Sequence, residues 1–231
     1  MPSGRGTTGG QTRLGPLIDG FTPLDFSRER AHMAAGLLPV AGADEVGRGP
    51  LAGPVVAAAV ILDPERVPQG LNDSKKLSAA RREKLYAEIC ATAEVAVSLA
   101  PPARIDRDNI RQATLWALAQ AAAGLPRHPA LLLVDGNDPP PAACAVEAIV
   151  GGDACVASIA AASIVAKVVR DRLMVQLGMA FPAYHFESHK GYGSQAHLQA
   201  LKAHGPCPHH RFSFAPVREQ QLRLFGADGE E

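Results

Sequence analysis

The chain has 231 residues with 23 basic (Lys and Arg) and 23 acidic (Asp and Glu) side chains. This length fits one domain with a full core, and 47% hydrophobic residues is typical of a globular chain. The charge balance excludes a uniformly basic protein, so a nucleic-acid surface would have to come from local clusters. The four cysteines form no C-x-x-C pair, and the longest apolar stretch, residues 50–62, is broken by Gly and Pro. We therefore expect a cytoplasmic protein that has no membrane partner.

Strand and helix patterns alternate along the chain. Residues 1–25 are rich in Gly, Thr and Pro, which predicts a disordered segment. Alternating or continuous apolar runs predict strands, and apolar spacing with a cap at Ser78 and a stop at Gly124 predicts helices. The predicted strands are 40–45, 55–62, 94–99, 131–134 and 145–150, and the predicted helices are 78–89, 110–124 and 158–177. This order indicates an α/β fold with a mixed sheet.

Residues 42–54 carry the most informative motif. Asp44 and Glu45 end an apolar run, and a glycine-bracketed arginine, Gly47-Arg48-Gly49, follows at once. Paired carboxylates favour the binding of a cation, whereas a glycine turn with a guanidinium favours the binding of an anion. A metal-dependent enzyme acting on phosphates would bind both at one place. The glycine spacing matches neither a dinucleotide-binding motif nor a P-loop.

Acidic residues also follow two later predicted strands. Asp135 ends the fourth strand and Asp153 lies just past the fifth. If the first, fourth and fifth strands are parallel neighbours, these two acids meet Asp44 and Glu45 at one edge of the sheet. Four crowded carboxylates repel, and a divalent cation such as Mg²⁺ or Mn²⁺ would relieve the repulsion. The alternative is that such residues serve as turns or caps, for Asp153 as the cap of the next helix.

The second half of the chain holds a segment of aromatic, histidine and lysine residues at 181–194. Tyr192 lies between two glycines and could stack on a nucleotide. The alternative, open for Tyr184 and Phe186, is that the aromatic rings anchor a loop to the core. Lys75 and Lys76 suit phosphate contacts, although such charge runs are also ordinary solvated surface.

Six motifs together resemble ribonuclease HII over residues 41–217. They are 42–54, 73–77, 134–136, 152–153, 158–171 and 189–194. The resemblance implies a ribonuclease H-like fold: a mixed five-stranded sheet flanked by helices, plus a small C-terminal helical part from about residue 180. It places the catalytic domain at 26–217 and a tail at 218–231. An aspartate at 153 and a short N-terminal stretch fit ribonuclease HII better than ribonuclease HIII.

The resemblance also implies an activity and its residues. It implies a monomeric endoribonuclease that cuts the RNA strand of RNA–DNA hybrids and single ribonucleotides in duplex DNA, leaving 5′-phosphate and 3′-hydroxyl ends. Two Mg²⁺ or Mn²⁺ ions would be held by Asp44, Glu45, Asp135 and Asp153. The implied substrate-binding residues are Gly47, Arg48, Gly49, Lys75, Lys76, Lys190, Tyr192 and Ser194, with Ser194 where the family often has threonine. The rival interpretations are an inactive nucleic-acid-binding protein and a different metal-dependent nuclease or phosphatase.

Residues 221–225 read Gln-Leu-Arg-Leu-Phe. Gln221, Leu222, Leu224 and Phe225 resemble the short peptide with which bacterial replication proteins bind the sliding clamp. The alternative is that the two leucines and the phenylalanine end a helix packed on the domain. Exposed apolar residues at a chain end favour some burial, either on the domain or on a partner.

Overall fold

The computed structural model describes residues 24–226, the last three as helix backbone only. Residues 1–23 of the segment predicted to be disordered therefore lie outside the described residues, as do 227–231. Asp25, which that prediction included, forms a β-bridge with Val156. No helix within 24–226 is long and apolar enough to cross a membrane.

The centre of the fold is a five-stranded mixed sheet in the order β3-β2-β1-β4-β5. The strands are β1 (Val40–Val46), β2 (Val55–Ile61), β3 (Glu94–Ala100), β4 (Leu131–Asp135) and β5 (Ala145–Ile149). β1 pairs antiparallel with β2 and parallel with β4, and β4 pairs parallel with β5. The predicted mixed sheet is confirmed, and the strands that carry the acids are parallel neighbours.

Helices cover both faces of the sheet. They are α1 (Ser27–Ala34), α2 (Ala79–Thr92), α3 (Pro102–Ala123), α4 (Ala157–Ala180), α5 (Phe186–His189), α6 (Gln195–His204) and α7 (Ala215–Gly226). α3 packs on one face, whereas α2 and α4 pack on the other. The alanine-rich α4 lies very close to β1, because a Cβ at Gly42 would come within 2.2 Å of the Ser158 backbone. α4 therefore packs directly against the middle of β1.

The structure differs from the helix predictions at α1 and at α3. α1 was not predicted, since its apolar pattern is weak. α3 begins at Pro102 and not at Ile110, with a kink at Asn109, where φ is +68°. The Asn109 side chain accepts a hydrogen bond from the Gln112 N–H (3.1 Å) and caps the second part of the helix. The apolar pattern that predicted the helix therefore began only after this internal cap.

The C-terminal helical part packs beside the sheet through its own apolar cluster. This cluster joins Ala52 and Met174 to Tyr184, Phe186 and Cys207. α7 runs through the predicted boundary between domain and tail at 217/218 and continues to Gly226. The boundary itself stays a prediction. Val217 is fully buried against the side chains of Leu51 and Leu201 and anchors α7 to the domain.

Candidate active site

The structure brings the four predicted acids to one edge of the sheet. Asp44 and Glu45 lie near the carboxyl end of β1, one residue past the pair that Ala43 forms with Val134 of β4. Asp135 ends β4, and Asp153 lies in a short 3₁₀ turn after β5. The backbone N–H of Asp153 donates to Asp135 Oδ1 at 3.3 Å. Parallel pairing of the three strands therefore produces the predicted convergence.

These acids are unfavourable neighbours in their charged forms. Burial, and then the negative charges of Glu45 and Asp135, raise the pKa of Asp44 well above its usual range. Burial also raises the pKa of Glu45, against the opposing effect of Arg48, whose Nη1 is 3.3 Å from Glu45 Oε1. Burial and the charge of Asp135 raise the pKa of Asp153. A cation at this edge would favour the ionised forms of all these groups.

The donor set fits a hard divalent cation, since every candidate ligand is a carboxylate. Asp44 is positioned by the main chain, because its Oδ1 accepts from the Glu45 N–H at 2.7 Å. Within residues 24–226, however, no group of three or more His, Cys, Asp or Glu side chains has the geometry to hold an ion as it stands.

Two buried arginines hold the glycine turn from the interior of the protein. Gly47 has a φ of +94°, and a Cβ there would lie 2.1 Å from Arg170 Nε, so only glycine fits. Arg211 donates to the carbonyls of Gly47 (2.5 Å) and Arg48 (2.7 Å). Arg170 donates to the carbonyl of Pro54 at 3.0 Å. The carbonyls are thus drawn inward, while Arg48 and Gly49 face solvent.

Sequence reasoning did not assign roles to Arg170 and Arg211. Both side chains are fully buried. Burial, and then the nearby charge of Arg170, lower the pKa of Arg211 to about 9. The signal that could have revealed Arg170 is its place on a largely apolar helix, since a buried guanidinium needs acceptors.

Tyr192 lies beside this turn. The residue is 47% exposed, and a Cβ built at Gly49 would lie 3.8 Å from its Cε1. Tyr184 and Phe186 behave differently, because both are buried and their rings stack at 5.3 Å. The anchoring interpretation is therefore confirmed for Tyr184 and Phe186, whereas Tyr192 remains available at the surface.

The two lysines of the 73–77 motif lie at the acidic edge. Lys75 Nζ is 3.7 Å from Asp153 Oδ2. The charges of Lys75 and Lys76 both lower the pKa of Asp153, against the effect of burial. Both lysines are exposed, so they can reach a phosphate beside the acids.

Two other predicted substrate-binding residues have structural partners. The Lys190 amino group donates to the Glu187 carbonyl, and its side chain lines a groove between α2 and α4. The Ser194 hydroxyl accepts from the His197 N–H at 3.2 Å and caps α6. The structure thus does not bring these two side chains to the acids.

A small pocket that sequence reasoning missed opens beside the acids. Glu45 and Asp135 line it together with Arg111 and Thr114 of α3. Arg111 is held there by Asp138, with Nε 2.6 Å from Oδ2. No local sequence motif predicts that Arg111 and Thr114 of α3 lie at the sheet edge.

The segment resembling a clamp-binding peptide lies in the last turns of α7. Gln221 is half-buried, and Leu222 is 65% exposed. The side chains of Leu224 and Phe225 lie outside the described residues. The helix of the alternative interpretation is present, but Leu222 does not pack on the domain.

The fold and its acidic edge identify the structural class of the protein. The ribonuclease H2 of Pyrococcus horikoshii superposes with a TM-score of 0.69 at 28% identity, over 80% of this chain and 98% of that one. The RNase HII of Archaeoglobus fulgidus, solved in a complex with PCNA, gives a TM-score of 0.66 at 28% identity, over 76% and 95%. The fold is therefore that of the ribonuclease H class.

Sequence comparison makes the assignment specific. The family model of ribonuclease HII matches residues 41–217. The ribonuclease HII of Xanthobacter autotrophicus is 75% identical over 218 residues, 94% of this chain and 88% of that protein. The chain belongs to the ribonuclease HII family. It is accordingly a ribonuclease, a hydrolase that acts on RNA–DNA hybrids, in a family that depends on divalent metal.

The raised pKa of Asp44 predicts a stability effect in metal-free protein. Because the folded-state pKa lies above the unfolded-state value, ionisation destabilises the fold progressively as pH rises between the two values. Asp44→Asn should therefore raise the urea midpoint at pH 7 in EDTA, and this gain should vanish at pH values below the unfolded-state pKa. Asp63→Asn is the control, because the hydrogen bond from Arg66 lowers the pKa of Asp63, so the same change there should not raise the midpoint. A lower midpoint for Asp44→Asn at pH 7 would contradict the prediction.

Proposed function

We propose that this ribonuclease cuts at single ribonucleotides embedded in duplex DNA as well as within the RNA strand of hybrids, by two-metal hydrolysis. The observation that carries the proposal is the adjacency of two surfaces. Glu45, in the acidic cluster, is bonded to Arg48 of the glycine turn, and Gly49 of the same turn faces the Tyr192 ring. One nucleotide can therefore meet the acids and the turn together.

Asp44, Glu45, Asp135 and Asp153 are the residues that would hold Mg²⁺ or Mn²⁺. When bound, such ions lower the pKa of water and stabilise negative charge on the leaving 3′-oxygen. The protein's own contribution is to hold the carboxylates together at the edge of the sheet, where burial and mutual repulsion raise the pKa of Asp44 and favour cation binding. Attack by water, and not by the 2′-hydroxyl, would leave 5′-phosphate and 3′-hydroxyl ends.

The glycine turn and Tyr192 would recognise the ribose. RNA and DNA sugars differ at the 2′-hydroxyl, so a close backbone contact is a natural sensor for it. Gly47, Arg48 and Gly49 suit this role because Arg170 and Arg211 fix the turn from below.

Lysines around the site would contact phosphates. Lys75 and Lys76 lie beside Asp153, and Lys190 lies at the α2–α4 groove, where a flanking backbone could pass. Ser194 would contact substrate only by sharing the hydroxyl that caps α6.

Asp44→Asn and Asp135→Asn should each lower cleavage at least about 100-fold, since each removes a proposed metal ligand. The assay uses a duplex bearing one ribonucleotide and an all-DNA control, each with Mg²⁺ and with EDTA. Asp63→Asn is the matched control and should cleave normally, because Asp63 pairs with Arg66 and is not one of the four acids of the cluster. Activity of both cluster variants within tenfold of wild type at saturating metal would overturn the assignment.

Tyr192→Ala should impair cleavage at an isolated ribonucleotide more than it weakens duplex binding. We expect a loss of about 1–3 kcal/mol in kcat/KM, the range for aromatic stacking on a nucleotide. Tyr192→Phe keeps the ring and serves as the control. If binding and turnover fall equally, Tyr192 only supports its loop.

We also propose that the end of α7 binds a sliding clamp. The A. fulgidus RNase HII was solved in a complex with PCNA, and Leu222 here is exposed on the helix that carries Gln221, Leu224 and Phe225. Docking must order or reshape this segment, so a micromolar affinity is expected. The test is titration of a 218–226 peptide against purified clamp.

The peptide carrying Leu224→Ala and Phe225→Ala should bind at least about tenfold more weakly than the native peptide, because it loses two apolar anchors. A peptide carrying Arg218→Ala, changed outside the motif, is the control. Equal binding of the native and the doubly substituted peptides would end this proposal.

A further inference from the structure

Three histidines lie beneath the loop that presents Tyr192. His197 and His210 are fully buried, and His189 stacks on His197 with ring centroids 4.5 Å apart. The proposed mechanism uses none of them. Fully buried histidines need partners for both ring nitrogens, so their hydrogen bonds define what they do.

His197 and His210 form a continuous chain of hydrogen bonds that ends on Tyr192. The Cys207 N–H donates to His210 Nδ1 at 3.0 Å. His210 Nε2 and His197 Nε2 are 3.0 Å apart. His197 Nδ1 lies 2.9 Å from the carbonyl oxygen of Tyr192.

The backbone groups at the two ends determine every proton in this chain. Because the Cys207 N–H can only donate, His210 Nδ1 must accept, and the single proton of neutral His210 is on Nε2. Because the Tyr192 carbonyl can only accept, His197 Nδ1 must carry the proton, which leaves His197 Nε2 as an acceptor. The two assignments agree at the central bond, where His210 Nε2–H donates to His197 Nε2.

We propose that His197, oriented by His210, is a positioning residue that fixes the Tyr192 main chain so that its ring meets the ribonucleotide. This role rests on the proposed contact of Tyr192 with substrate. It makes the His210–His197 chain part of how the enzyme recognises an isolated ribonucleotide, through a residue that does not itself touch the nucleic acid.

The other side of the loop is fixed in the same way. The Gly191 N–H donates to His189 Nδ1 at 3.2 Å, and the Leu51 N–H donates to the Gly191 carbonyl at 2.8 Å. The Tyr192 carbonyl also accepts from the Ser194 N–H at 2.8 Å. With its main chain held on both sides, Tyr192 has only its side chain free to respond to substrate.

The surroundings keep both rings neutral. The titratable and charged groups around the chain are His189, His209, Cys207 and Tyr184, with Arg170 and Arg211 beyond the Tyr192 ring. None of these is a carboxylate. Burial, and then the neighbouring His197, lower the pKa of His210 to about 4, and burial also lowers the pKa of His197. A second proton on either ring would set two donors against each other.

Two substitutions at His197 separate the two ends of the chain. His197→Asn retains an N–H near the Nδ1 position and can still donate to the Tyr192 carbonyl, whereas His197→Gln retains an acceptor for His210 but loses that donor. For a duplex with one ribonucleotide, we expect His197→Gln to lower kcat about tenfold with little change in KM, and His197→Asn to restore most of the loss.

A double-mutant cycle tests whether the effect acts through Tyr192. In a Tyr192→Ala background, His197→Gln should lower kcat by less than about twofold, because the residue it positions is gone. Equal tenfold losses in both backgrounds would overturn the positioning role, as would equal losses for His197→Asn and His197→Gln. If Tyr192→Ala alone changes nothing, the proposed substrate contact fails and the positioning role fails with it.

A measurement independent of activity tests the hydrogen-bond chain itself. Ring ¹⁵N shifts of the full-length protein at pH 6 should show His197 as the Nδ1–H tautomer and His210 as the Nε2–H tautomer, both neutral. An Nε2–H tautomer for His197, or its titration near 6.5, would overturn the chain whatever the cleavage assays show. The tautomer result thus distinguishes a failure of the chain from a failure of the proposed function.

Discussion

The main physical constraint in this structure is the mutual repulsion among carboxylates at one edge of the sheet. Parallel pairing of β1, β4 and β5 brings Asp44, Asp135 and Asp153 to that edge. Burial worsens the repulsion and raises the pKa of Asp44. A protein optimised only for stability would place apolar or neutral side chains there. The crowded carboxylates therefore lower the stability of the metal-free fold, and cation binding can offset this loss.

At the glycine turn the buried charges are positive. Arg170 and Arg211 are fully buried and direct their hydrogen bonds to main-chain carbonyls of residues 47–54. Burying two guanidiniums is costly, and carbonyls compensate the charge only in part. The result is a rigid, positively polarised turn beside the acidic edge. A phosphodiester placed between them would face the proposed metal-binding acids on one side and hydrogen-bond donors on the other.

Local patterns in the sequence were sufficient for much of this picture. The five strands, the helix capped by Ser78 and the acids at strand ends follow from periodicity and from the rule that sites form at the carboxyl ends of parallel strands. The resemblance in six motifs gave the family. The kink at Asn109, the pocket residue Arg111 and the path of α7 could not be predicted, because each depends on contacts between segments distant in the chain.

The central claim is that the acids at the sheet edge bind divalent metal as a set. Calorimetric titration of Mn²⁺ into the protein bound to duplex DNA tests it most directly, with wild type compared with Asp135→Asn. We expect saturable binding in the wild type and a loss of at least about tenfold in affinity in Asp135→Asn, since a ligand is removed from a cluster that shares the ion. Identical Mn²⁺ isotherms for the two proteins would contradict a metal centre at this edge.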